Sequence, residues 1–367
     1  EMASCHERVC LLVIVLVSAA MLACGQSDGT GNLYLTVSYC PGPFSGAGAI
    51  IGVKLDGSGD WWIQGKFDWP NNEVMGCPVL YDPVVAPDLT DSHVYFDFED
   101  DFGNVVEVNV PLAEVVSNIK VNRKSDVFFG FVNFAVDRSE GAPMLKGVSP
   151  AVERRGLCSD GCFEYGQMDP STGLYQNLSD VLFKAMGDDV DTLLTTENYI
   201  TQASHDLHSP PCGPTPSDLC LVKLDAKTGE TEQTTYTNYS IYQFGYSDND
   251  QSVPSLIFAD GGHTEECKDY NYHIANINLE NGEIVDYLSC LDVVHHIVEE
   301  AWISSFSLDN SLLAHGSGST DTGQSQIIVY NTSDGSVFDT VDGEAIAKAL
   351  NSWSNTLLIW SVNFFED

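Results

Sequence analysis

The feature that most constrains this chain is a unit that recurs along it: an alternating apolar run, a short polar turn carrying glycine, and a second run. Ile50–Leu55 leads through Asp56-Gly57-Ser58-Gly59 into Asp60–Phe67, and Val94–Phe98 leads through Glu99–Asn104 into Val105–Val110. The same order appears at Phe131–Val136, Glu164–Met168, Leu221–Leu224, His273–Leu279 and Ile327–Tyr330. Glycine or asparagine supplies the positive φ of such turns and aspartate or serine caps them, so each unit is predicted to be a β-hairpin. Turn glycines stand at 59, 103, 141, 173, 229, 282 and 335, on average about 46 residues apart. A four-stranded propeller blade needs about 40–50 residues. The fold class expected is therefore all-β, a single β-propeller of seven blades, with six blades and longer loops as the alternative count. Two irregular β-sandwiches are the competing architecture. No hairpin follows the last run, Thr356–Trp360. It is expected to pair with Asn32–Tyr39, closing the ring and removing free sheet edges. Short helices are predicted only over Pro111–Ile119 and Ala345–Leu350.

With these units in view, the chain resembles the YVTN and quinoprotein-like β-propellers. Lys223-Leu224-Asp225-x-x-Thr228-Gly229 and Leu308-Asp309-Asn310-Ser311-Leu312-Leu313 look like that family's strand–turn units. The likeness is best over residues 215–340 and loose over 30–210, where the repeats are irregular. None of the family's quinone-binding or catalytic motifs is present, so the resemblance implies a fold and no activity.

The N-terminus sets the expected compartment. Val9–Cys24 is an uncharged run of 16 residues after Arg8, shorter than the ~20 residues of a membrane-spanning helix. With Ala23-Cys24-Gly25 as a small-residue cleavage site, residues 1–25 read as a secretory signal peptide and 26–367 as the propeller domain. Secretion is the expected localisation. The alternative is a bacterial lipoprotein, since Met21-Leu22-Ala23-Cys24 resembles a lipobox that would place a lipid anchor on Cys24.

Eight cysteines follow that segment: Cys40, Cys77, Cys158, Cys162, Cys212, Cys220, Cys267 and Cys290. An even number in an exported chain points to disulfides. Sequence neighbours offer the pairs 40–77, 158–162, 212–220 and 267–290, although eight cysteines allow 105 pairings. Three sequons, at Asn177, Asn238 and Asn331, are candidate glycosylation sites.

The charge excludes some partners. The formal balance is −38, and removing residues 1–25 changes it by a single unit, so the acidity belongs to the folded body. Such a surface repels nucleic acid and anionic membranes. An extracellular glycan, peptide or small ligand is the expected partner, with no stable membrane insertion.

Candidate chemistry lies in the second half. His205 and His208, His263, and His295, His296 and Glu299 carry imidazole and carboxylate in turn-like segments. Propeller loops converge at a central channel, where such groups could hold a divalent metal. Glu99-Asp100-Asp101, Asp188-Asp189-x-Asp191 and Asp248-Asn249-Asp250 are oxygen-rich and suit calcium, the one cofactor suggested, though none matches an EF-hand loop. There is no Gly-x-Ser-x-Gly, and Gly46-Ala47-Gly48 precedes no helix, so neither an α/β-hydrolase nucleophile nor a phosphate loop is indicated. Two readings follow: a binding protein, or a calcium-dependent enzyme (hydrolase, lactonase or oxidoreductase) with its site at the channel mouth. Trp61, Trp62 and Trp69 are expected to pack between blades.

Overall fold

The computed structural model describes residues 31–365 except for 44, 71–82, 99–103, 122–130, 132, 139, 151–162, 179–189, 196–198, 205–218, 226–230, 238–239, 247–253, 261–266, 268–271, 279–280, 282, 292–301, 318–325 and 354–356. Its strands are β1 Asn32–Gly42, β2 Ser45–Val53 and β3 Trp61–Phe67; β4 Val84–Asp88, β5 His93–Phe98, β6 Asn104–Asn109 and β7 Glu114–Lys120; β8 Asn133–Asp137, β9 Met144–Pro150, β10 Phe163–Asp169 and β11 Leu174–Asn177. They continue as β12 Val190–Thr195, β13 Tyr199–Ser204, β14 Leu219–Asp225 and β15 Thr231–Thr237; β16 Ser240–Tyr246, β17 Pro254–Asp260, β18 Tyr272–Asn278 and β19 Glu283–Leu291; β20 Trp302–Phe306, β21 Leu312–Ser317, β22 Gln326–Asn331 and β23 Val337–Asp342; and finally β24 Leu357–Phe365. Among the described residues there is one helix, α1, spanning Gly343–Leu350.

These strands form four-stranded antiparallel sheets, each built from consecutive strands except the first, whose order is β24-β1-β2-β3. The innermost strands β24, β4, β8, β12, β16 and β20 touch one another in that order round a ring. The molecule is a β-propeller. β1 pairs antiparallel with β24 from Asn32↔Phe365 to Tyr39↔Leu357. The two chain ends thus share one blade, and its ladder latches the ring.

The seven-bladed expectation is overturned by the sheet count, which is six among the described residues. The reason lies in which glycines were counted. Only Gly59, Gly173, Gly229, Gly282 and Gly335 fall between the third and fourth strands of a blade. Gly103 falls between β5 and β6, and Gly141 between β8 and β9. The corresponding turn of the second blade has no glycine at all: Ala113 takes the positive φ there, at 51°. Two glycines were therefore in the wrong connection and one turn was silent.

Burial follows position in the blade. β24, LLIWSVNFF, is buried along its whole length, because neighbouring blades cover both faces of an innermost strand. The outermost β3 and β7 alternate between exposed and partly covered residues. Glu114–Lys120 is thus a strand where a helix was expected over Pro111–Ile119. Val115, Val116 and Ile119 are β-branched, and their two-residue alternation suits a half-covered edge. The helix expected at Ala345–Leu350 is present as α1. Asp342 caps it by accepting from Glu344 N at 2.8 Å, and Asn351 closes it in the left-handed conformation.

The core consists of apolar layers between blades. Leu33, Leu35, Val329 and Val341 pack with Ile346 and Leu350 of α1 where the ring closes. On the other side of the first blade, Trp69 stacks edge-on to Phe96 and Phe98 and lies 4.7 Å from Trp360. Trp69 is thus core and Trp61 is packed against core, whereas Trp62 is exposed. In five of the six blades the register slips between the third and fourth strands. Such a bulge adds local twist and fits the way the outer strand swings against the next blade. Gln64 on β3 donates to Pro111 O of the next blade at 2.6 Å.

Candidate functional site

Strand direction divides the connections between two faces. Within each antiparallel blade, the first and third connections open at one end. The second opens at the other, where the chain also leaves for the next inner strand. On the first face no connection exceeds seven residues. On the second, nine connections have eight or more, and the longest, 68–83, has 16. We call these the turn face and the connection face.

The turn face is made of self-satisfied turns. Asp169, Asp309, Asp334 and Asp56 each accept from the backbone N–H two residues on, at 2.8–3.1 Å. Hydrogen bonds from their own turns hold the Asp169 and Asp334 carboxyls below the usual carboxylate range. These four aspartates are therefore used to close hairpins.

One polar cluster on this face joins two blades. Arg138, just past β8, donates through Nε to Asp88 at 2.9 and 3.1 Å and through Nη2 to Asp88 and Asp91. Asp88 ends β4 and is buried. Beside it His93 Nδ1 lies 2.7 Å from Glu107 Oε1, and Asn109 Nδ2 lies 2.8 Å from His93 Nε2. Glu107 also accepts from Tyr95 OH at 3.0 Å and Ser117 Oγ at 2.7 Å. The hydrogen bond to Glu107 raises the basicity of His93. Burial favours protonated Glu107, but the bonds from His93, Ser117 and Tyr95 outweigh it and lower its pKa. Burial, with the nearby Glu107 charge, pushes the Tyr95 phenol up. This network was missed in the sequence reading because its members come from four strands and two turns; the only local signal was alternation of His93, Tyr95 and Glu107 with apolar neighbours.

The sequence-derived histidines and cysteines fall in or beside connections of the other face in chain order. His205, His208 and Cys212 fall between β13 and β14, His263 between β17 and β18, and His295, His296 and Glu299 between β19 and β20; all lie outside the described residues. So do Cys77, Cys158, Cys162 and Asn238. The strands that bracket them all open at the connection face. Cys267 and Cys290 are joined in a disulfide there. Cys40, near the end of β1, is disulfide-bonded, and Cys220 is the second residue of β14. Of the acidic clusters, 99–101 and 188–189 stand in connection-face segments, whereas 248–250 stands between β16 and β17 on the turn face. Among the described residues, no group of three or more His, Cys, Asp or Glu is placed to hold a metal ion. No helix among them is long and apolar enough to cross a membrane.

Two histidines within strands are core residues. His273 is buried against Tyr287. His315 lies beside Phe258, with Ser304 Oγ 3.0 Å from its Nδ1, and burial pushes its pKa down to about 4.

No family model matches the chain, and no curated protein matches it. Solved structures similar to it include the Dos1 propeller, at 11% identity over 78% of this chain and 64% of that one, with a TM-score of 0.38. Others are the computationally designed Ika8 protein (10%, 80% and 70%, TM-score 0.34) and the β-propeller domain of Myceliophteria thermophila Cps50 (Swd1) (10%, 71% and 87%, TM-score 0.39). The chain thus spans under two thirds of the first of these. The propeller assignment stands on the strand pairing itself.

Proposed function

We propose that this protein is an exported, disulfide-bonded β-propeller that binds an extracellular glycan, peptide or small ligand through its connection face. The observation that carries the reading is the unequal length of the connections. Tight turns cap one end of the ring, and nine connections of eight residues or more open at the other. A rigid scaffold that gathers long loops at one end is a common way to build a binding surface. Cys40, Cys267 and Cys290 lie at or beside strand ends bordering that face and are disulfide-bonded, and cross-links there would cut the entropy lost on binding. Calcium, carried by carboxylates of those connections, is part of the proposal, as is kinship of residues 215–340 to the YVTN-like propellers.

The test is a glycan array together with a pull-down from the native extracellular fluid, each repeated with calcium and with chelator. Capture that is lost when the 205–218 or 292–301 connection is replaced by a short Gly-Ser turn supports the reading. Two empty screens, or binding unchanged by both replacements, would count against it.

A further inference from the structure

We propose that His93 is a proton switch for the seam between the first two blades: neutral, it locks the β6–β7 turn through Asn109, and protonated, it lets that turn go.

Asn109 fixes the sense of the hydrogen bonds here. Its Oδ1 accepts from the Leu112 backbone N–H at 2.8 Å, so its amide nitrogen is the atom that faces His93 Nε2, at 2.8 Å. An amide nitrogen only donates. His93 Nε2 is therefore the lone-pair nitrogen, and the ring proton sits on Nδ1, donated to Glu107 Oε1 at 2.7 Å. Tyr95 and Ser117 donate to the same carboxylate, so Glu107 acts purely as an acceptor. One chain of matched donors and acceptors thus runs from Glu107 through His93 and Asn109 to Leu112.

A second proton, on Nε2, breaks the match, because Nε2–H and the Asn109 amide are then two donors face to face. Turning the amide over gives His93 an acceptor but sets Nδ2 against the Leu112 N–H. The mismatch settles at Leu112, which is exposed, so water takes up the freed N–H. Inside the turn, the bond from Ala113 N to Val110 O is left, at 3.1 Å. Ala113 stands there at φ 51°, a conformation unfavourable for a residue with a Cβ. This turn is what the first blade rests on. Pro111 O accepts from Gln64 at 2.6 Å, and a Cβ at Gly65 would lie 2.5 Å from Ala113 Cβ.

The groups facing His93 are Glu107 on β6, Tyr95 on its own strand, Asp88 and Asp91 on the side of β4, and Arg138 behind those two. Glu107 first, then Asp88 and Asp91, favour the second proton. The switch therefore works above the ordinary imidazole value of about 6.5, locked at higher pH and released as pH falls. The proton strengthens the pair with Glu107 while it weakens the turn.

The experiment is NMR on the isotope-labelled full chain. Long-range proton–nitrogen correlation of the His93 ring at alkaline pH should find the proton on Nδ1. Amide exchange at Leu112, corrected for the intrinsic effect of pH, should quicken several-fold through the His93 midpoint, while Val110, bonded to Ser92 O, stays protected. In Asn109→Asp the carboxylate accepts from both neighbours, so Leu112 should stay protected in both states and His93 should titrate higher. A proton on Nε2 at alkaline pH, a Leu112 amide blind to the His93 midpoint, or an Asn109→Asp chain that still releases Leu112 overturns the proposal. The first two readouts need no variant.

Discussion

Gly173 of one blade sits on the Lys120 carbonyl of the blade before it, so closely that a Cβ at Gly173 would lie 2.2 Å from that oxygen. The contact repeats round the ring: Gly65 lies against Ala113, Gly59 against Thr340 O and Gly335 against Cys290 O. At these four seams the outer strand of one blade is thus seated on a turn of the next.

Gly173→Ala should therefore be costly for two reasons. The residue has φ +68°, worth about 1–2 kcal/mol for a residue with a Cβ, and the clash is with backbone, adding about 1–3 kcal/mol. Gly141 is the control: its φ is +89° but nothing stands within 4 Å of its Cβ position, so Gly141→Ala should show the conformational part alone. Urea denaturation of the two variants measures the difference; equal losses would mean that the inter-blade contact contributes nothing.

Arg138→Met should lower stability by about 3 kcal/mol, because it strands the buried Asp88 carboxylate without its cation. The Asp88→Asn/Arg138→Met double variant should recover part of that loss, since the uncompensated charge is then gone. A double-mutant cycle by denaturant melts decides it. Additive losses would show that the fork does not couple the two blades.

His315 should make the fold acid-labile well above the carboxylate range. Its pKa is about 4 in the folded protein, against about 6.5 unfolded. A histidine held neutral by burial leaves the unfolded state binding more protons in that window. Stability is therefore full above pH 6.5 and falls as pH drops toward 4, by about 3 kcal/mol in all. Melting temperature followed from pH 7 to 4 should lose much of this slope in His315→Leu, whatever that variant's stability at pH 7.

His93 works in the opposite sense. Its folded pKa is raised by Glu107, so its contribution is fully present below the unfolded value and is lost as pH rises through the folded one. The groups facing it are Glu107 and Asn109 on β6, with Asp88 and Asp91 adding negative charge and Arg138 behind them. Glu107→Gln should bring the His93 titration, read by NMR on its imidazole protons, back toward the ordinary value and flatten the alkaline loss of stability. An unmoved titration would show that Glu107 does not set it.

Much of the hairpin grammar was legible in the chain. Asp169-Pro170-Ser171-Thr172-Gly173 and Asn331-Thr332-Ser333-Asp334-Gly335 announce their turns because aspartate, serine and glycine act through neighbours two to four residues away. The pairing of Asn32–Tyr39 with Thr356–Trp360 was also legible, since an unpaired final run must go somewhere and only the first strand is left over. The blade count was not. Gly103 and Gly141 look like Gly59 in sequence, and Ala113 does a glycine's work because its surroundings hold it at positive φ.

What the sequence by itself determined is local: alternating runs, turn chemistry, capped helix, and which end of the chain must close the ring. Tertiary structure alone decided the six-fold count and the sorting of connections between two faces. It also brought Arg138 onto Asp88, 50 residues away. These depend on sheet twist and inter-blade packing, which sum over residues far apart in the chain and leave no mark at any single position.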